Sequence, residues 1–294
     1  MRQARLRAIA YMIAAVAVFS CMDALLKLLS AWYPPLQVAV LRGAASLPFT
    51  LLPLVISGRL GELRPRRWPM HLLRAVLTVV LLVSFIYAVR EVSLANAYAV
   101  FLSAPLIVAA LSVPLLGERG NARTWVAILA GLAGVIIMLR PTTSGLASWG
   151  ALAALVAATA YALSAIAVRV LTRTESTASV VFWTIGLMTL IAALLAAPAW
   201  VAIAARHWPW IIALGVVAAV GQHLLTQAFR LAPPSLVAPF EYTALLWGIA
   251  IDRVIWHVLP SARVVIGGGV VIVSGLYLIW RERAHSVPAP SQQA

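Results

Sequence analysis

The sequence predicts an all-α membrane protein: ten transmembrane helices in two inverted five-helix repeats. Three observations predict it. First, 63% of the 294 residues are hydrophobic and 10% charged, with mean hydropathy +0.99. A soluble domain carries about 25% charged residues, so a soluble enzyme, a disordered chain and a nucleic-acid-binding domain are excluded. Second, the apolar residues fall into ten runs, most near the ~20 residues a helix needs to cross the hydrocarbon. Third, landmarks of the first half recur in the second at a nearly constant offset.

The runs follow in order. Ala8–Leu29 comes after Arg2, Arg5 and Arg7, as a signal peptide would. Its apolar stretch is longer than a signal peptide's and carries Asp23 and Lys27, so it reads as a retained helix. Leu36–Ser57, Trp68–Val89 and Ala95–Leu116 follow, then the shorter Thr124–Leu139. Trp149–Val170, Ser179–Val201, Trp208–Leu231, Ser235–Trp256 and Ala262–Trp280 make up the second half. None alternates apolar with polar residues as a barrel strand does. Trp32, Trp68, Trp149, Trp208, Trp256 and Trp280 stand at run ends, where an interfacial belt belongs. The tail 285–294, rich in Ser, Pro and Gln, is predicted to be disordered and cytoplasmic.

Charge sets the orientation. With the N-terminus in the cytoplasm, the inner segments hold 14 Lys and Arg residues and the outer turns 5. The positive-inside rule is then met with both termini cytoplasmic. The net charge of +14 is scattered singly between apolar runs, unlike a nucleic-acid-binding face. Cys21 is the only cysteine, so no intrachain disulfide forms.

Trp68-Pro69 and Arg90 recur as Trp208-Pro209 and Arg230, an offset of 140. Phe19 and Lys27 match Tyr161 and Arg169 at an offset of 142. The chain therefore divides into units of five helices, 1–145 and 146–284. An odd-numbered unit enters on one side and leaves on the other, so its copy lies inverted, the architecture of secondary transporters.

Ionisable residues at bilayer depth cost about 2.5–3.5 kcal/mol on insertion scales and need a partner or a function. Asp23 and Lys27, spaced i, i+4, share a helix face, and Asp23 lies at a depth similar to Arg42 across a short turn. They are expected to form one cluster that binds a substrate carboxylate, gates the outer side or staples a hairpin. Glu241 lies just past a short turn from His223 and Gln227, with Gln222 and Thr226 alongside. The Glu241–His223 pair is expected to carry a proton or to hold helices together. Tyr98 and Tyr242, with Tyr87, Tyr161, Trp183 and Trp247, are candidates to line a path for a planar solute. Arg74 and Glu118 are structural or gating candidates, the first within snorkelling reach of the interface, the second beside Arg119 and Arg123. Asp252 and Arg253 read as a solvated pair at the end of the ninth run. Pro105, Pro114 and Pro239 free backbone carbonyls inside runs. Gly131 and Gly134 permit close helix contact.

The stretch Leu73–Pro141 resembles the first EamA-type repeat of the drug/metabolite transporter superfamily, through Leu73-Arg74, Ser103-Ala104-Pro105-Leu106 and Leu116-Gly117-Glu118-Arg119. Asp23, Lys27, Pro35, Gln37 and Arg42, and the segment Ala238–Ala244, are similar to the same superfamily. The likeness departs at Ile255-Trp256-His257, where the second repeat usually has Gly-Glu. It implies ten helices in two repeats, a bacterial inner-membrane location and a small-molecule substrate such as an amino acid. A homodimer is left open.

No G-x-x-x-x-G-K-[ST] loop is present, so ATP does not drive this chain directly. The expected function is secondary transport by alternating access, with proton coupling or exchange and no cofactor or metal. The alternatives are an intramembrane enzyme built on a Glu241/His223 dyad and a structural membrane subunit.

Overall fold

The computed structural model describes residues 2–116, 122–139, 148–231 and 234–285. Glu118 and most of the expected tail lie outside these residues; His285 ends the last helix. Among the described residues all regular structure is helical. The first half comprises α1 (Arg2–Ser30), α2 (Pro35–Ile56), α3 (Trp68–Glu91), α4 (Leu94–Phe101), α5 (Ala104–Leu116) and α6 (Ala122–Leu139). The second comprises α7 (Trp149–Leu171), α8 (Thr177–Ala196), α9 (Trp208–Leu231), α10 (Pro234–Val237), α11 (Ala244–Ile251) and α12 (Ala262–His285). Among the described residues, seven segments are long and apolar enough to span a bilayer, and α6 and α12 contain shorter apolar stretches.

Two runs expected to be continuous are broken. The run beginning at Ala95 divides into α4 and α5, and the run from Ser235 passes through α10, a 3-10 stretch (Ala238–Thr243), α11 and a π-helical turn (Asp252–Trp256). Pro105 and Pro239 explain the positions. Each sits in the first turn of a new helical piece, where its missing N–H leaves no bond unmade. At the first break Leu102 N–H donates to Tyr98 O at 2.8 Å and Ser103 N–H to Val100 O at 3.1 Å. Ala104 and Ala244 open the α-helical pieces beyond the breaks, and they stand 140 residues apart. The offset read from Trp68 and Trp208 thus relates the breaks as well.

The packing has the same symmetry. α1 packs on α9 as α7 packs on α3; α2 meets α8, α6 meets α12, and α4 meets α11. Exchanging the halves returns this set of contacts unchanged. Gly150, near the start of α7, lies against Glu91 and Val92 at the end of α3. Glu175, just past α7, lies beside Arg66 and His71 at the start of α3. α7 is therefore antiparallel to α3. Lys27 reaches Val92, so α1 and α3 end together and run the same way. α1 and α7 accordingly point in opposite directions.

Small residues set a close crossing between α6 and α12. A Cβ on Gly134 of α6 would stand 2.8 Å from the Gly267 carbonyl oxygen, and one on Gly267 would stand 2.6 Å from that of Gly134. Such contacts let helices associate in lipid, where the hydrophobic effect offers no drive. Gly269, two residues along α12, faces open space. Gly134→Ala is expected to destabilise the protein by ~1–3 kcal/mol through overpacking. Gly269→Ala should stabilise it by ~0.5–1 kcal/mol through helix propensity. Thermal melts in detergent check the pair, and equal shifts would refute this account.

Trp68, Trp149, Trp208 and Trp280 are exposed, as a belt requires. Trp256 departs from it: the ring is half-buried beneath the Lys27 ammonium, 4.4 Å from its centroid.

Candidate functional site

A cavity of about 360 Å³ opens at the centre of the bundle between α1, α2, α3, α4, α7 and α9. Phe19 and Tyr161 line it, as do Phe101 with Glu241 and Phe85 with Leu225. The first pair stands 142 residues apart and the other two pairs 140. Each pair occupies equivalent positions in the two halves, so the cavity lies on the axis that relates them. The broken spans reach it from both sides, through Phe101 and Leu102 at the end of α4 and Glu241 in the 3-10 stretch. Non-helical backbone at membrane depth is tolerated where it lines a cavity.

The charges lack that symmetry. Asp23 and Arg42, both from the first half, face each other across the wall without a direct ion pair. The Tyr98 hydroxyl donates to Asp23 Oδ2 at 2.7 Å, and its ring stacks on Phe85 with centroids 6.0 Å apart. Glu241 comes from the second half and opens onto the cavity beside Tyr161. The site therefore offers one guanidinium and two carboxylates inside apolar walls that carry the rings of Phe19, Phe85, Tyr98, Phe101 and Tyr161. Asp23 already engages Tyr98 and Arg42, and Glu241 is held by no side-chain bond among those of the described residues.

A second cavity, of about 460 Å³, adjoins the first and shares Phe19, Met22 and Arg42 with it. It lies between α2, α8 and α9 and takes Gln222, His223 and Thr226 into its wall. Arg42 stands at the junction. The expected Glu241–His223 pair is thus divided between neighbouring cavities. His223 faces the second cavity with Gln222 and Thr226, while the 3-10 stretch turns Glu241 toward α7. Gln227 is half-buried on α9 and stands in neither wall.

Lys27 also departs from the expected cluster. It stands one turn beyond Asp23, yet its ammonium goes to Asp252 at 3.5 Å and to the Val92 carbonyl at 3.1 Å. Asp252, read as solvated, is 1% exposed. Its two carboxylate oxygens accept the Leu94 N–H at 3.1 Å and the Ala95 N–H at 2.8 Å. The Ser93 hydroxyl and carbonyl take the next two, from Asn96 and Ala97. The Leu94, Ala95 and Asn96 N–H groups, which have no acceptor within α4, are thereby satisfied, and the Ala97 bond is the first of the regular helical ladder. Spacing within one run carries no sign of this, because Lys27, Ala95 and Asp252 belong to three separate runs.

Tyr242 is buried with its hydroxyl against Gly275 of α12, outside the central wall. Arg74 joins two helices: Nη1 donates to the Val180 carbonyl at 2.9 Å and the Thr184 hydroxyl at 2.5 Å. This tie to α8 replaces the snorkelling reading.

The EamA-like transporter family matches residues 6–140 and again residues 148–281. The chain is 29% identical to the pseudopaline exporter CntI of Pseudomonas aeruginosa over 262 residues, 88% of this chain and 91% of the relative. It is 26% identical to a riboflavin transporter of Vibrio cholerae over 255 residues, covering 86% and 85%. It is 24% identical to an S-adenosylmethionine uptake transporter of Rickettsia prowazekii over 278 residues, covering 95% and 94%. One crystal structure superposes with a TM-score of 0.63 over 97% of this chain and 99% of the other, at 19% identity. That likeness speaks for the fold.

Proposed function

The chain belongs to the EamA-like transporter family, and we propose that it is a secondary transporter of a small amino-acid-like metabolite, working by alternating access around the central cavity. The observation that carries this reading is the cavity's position. It lies on the axis between equivalent halves, and a broken span from each half lines it. Two halves that exchange conformations around such a point expose it to one side and then the other.

Ten crossings in two units, 1–145 and 146–284, fit the helix directions and the two family matches. The arginine distribution favours cytoplasmic termini. Arg42 is the group for a substrate carboxylate, since guanidinium binds it with charge-assisted hydrogen bonds. The aromatic walls take an apolar or planar side chain. Glu241, with no side-chain partner among the described residues, takes the substrate's ammonium or the coupling proton. The 360 Å³ volume lies at the low end of the ~300–1,000 Å³ typical of small-molecule sites.

Uptake into proteoliposomes, with and without a proton gradient, tests the proposal. Glu241→Gln is expected to abolish gradient-driven uptake in a protein that keeps its elution profile and melting temperature. Undiminished gradient-driven uptake by that variant would remove Glu241 from the coupling step.

A further inference from the structure

Two sets of polar contacts join the halves at opposite ends of the bundle. At the end that carries the N-terminus, Glu175 of the α7–α8 connection reaches across to the start of α3. Its carboxylate accepts the Arg66 and Arg67 N–H groups, each at 3.0 Å, and meets His71 Nε2 at 2.7 Å. The Glu175 and His71 side chains are fully buried. Burial works to raise the Glu175 carboxyl, but the bonds from His71 and the two N–H groups outweigh it and hold it below the usual carboxylate range. At the other end, Tyr33 of the α1–α2 connection reaches across to the start of α9. Its hydroxyl lies 2.7 Å from His207 Nδ1 and accepts the Ala204 N–H at 3.1 Å. Gln37 adds two bonds to the Val201 backbone, at 2.6 and 2.9 Å.

Tyr33 and Glu175 stand 142 residues apart, the offset that relates α1 to α7. Each uses a side-chain oxygen to hold backbone N–H (two groups for Glu175, one for Tyr33) and an imidazole where the third long helix of the opposite half begins. The reaching residues are equivalent by the offset; their imidazole partners are not, His71 standing in the first turn of α3 and His207 just before α9, and the two sets lie on opposite sides of the central cavity.

We propose that these sets are the two gates of the transport cycle: Glu175–His71 closes the end that carries the N-terminus, and Tyr33–His207 closes the other. This rests on the transport reading above. Both latches bridge the halves, so neither end can part while its latch is made. The chemistry differs between the ends, an ionised carboxylate at one and a phenol at the other, so each gate is open to separate weakening.

The test reads access to the cavity and needs no substrate. In a Cys21→Ser background, Ser20→Cys provides a thiol in the central wall, and a membrane-impermeant maleimide is applied from each face of the membrane. Glu175→Gln is expected to raise labelling about tenfold from the face that carries the N-terminus, the equivalent of ~1.4 kcal/mol. Tyr33→Phe should raise it similarly from the opposite face only. Equal rises from both faces, or no rise beside a lowered melting temperature, would make these contacts staples and overturn the proposal. Should a variant fail to fold, His71→Gln and Gln37→Ala probe the same two latches. Labelling from both faces that ignores the latches refutes the gates alone. A thiol that neither face ever reaches refutes the transport reading itself.

Discussion

Asp252→Ala is expected to cost about 3–5 kcal/mol of stability, the usual cost of removing one partner of a buried ion pair. Three consequences coincide at this residue. The Lys27 ammonium keeps the Val92 carbonyl and the Trp256 ring but loses its counter-charge. The Leu94 and Ala95 N–H groups lose their acceptors in a fully buried setting that water does not reach. The start of α4 loses its anchor to the second half, and α4 carries Tyr98 into the central cavity.

Asp252→Asn separates these effects, because it keeps an acceptor for one N–H and removes the charge. Lys27→Met combined with Asp252→Asn should melt above Asp252→Ala, since replacing a buried pair with apolar or neutral groups costs less than breaking it. The measurement is a melting series in one detergent. A double variant as unstable as Asp252→Ala would show that the N–H bonds alone carry the effect.

The legibility of this molecule divides along the same line. Periodicity and composition reach whatever lies within one run, and the halves announce themselves because duplication preserves spacing. The breaks themselves are not legible in the runs, but the offset of 140 set by two Trp-Pro pairs relates Ala104 to Ala244, where the α-helices resume. Asp23, Arg42, Tyr98 and Glu241 line the central cavity because each is a polar group on an apolar helix with nowhere else to go. Contacts between distant runs are hidden. Lys27 has two acids to choose from, one turn away or more than two hundred residues on, and only packing decides for the second. Glu175 and His71 read as loop and rim residues until α7 and α3 lie side by side. The one signal that reaches them is the offset itself, which pairs Glu175 with Tyr33.

The second large effect concerns Arg42, the guanidinium that stands where the two cavities meet. Arg42→Ala is expected to lower uptake kcat/KM about 10–100-fold, the effect of losing a charge-assisted hydrogen bond of ~1.5–3 kcal/mol. The same change leaves Asp23 in the cavity wall with Tyr98 as its remaining partner. Lost transport and lost stability therefore arrive together in the single variant and must be separated. Asp23→Asn added to Arg42→Ala removes the uncompensated carboxylate, so the double variant should recover the melting temperature without recovering uptake. Arg42→Lys keeps the charge and gives up the two-pronged geometry, and it should fall between wild type and alanine. A double variant that regains uptake along with stability would mean that Arg42 only balances Asp23. Substrate recognition would then pass to Glu241 and the aromatic walls, and cationic solutes without a carboxylate would become the better substrates.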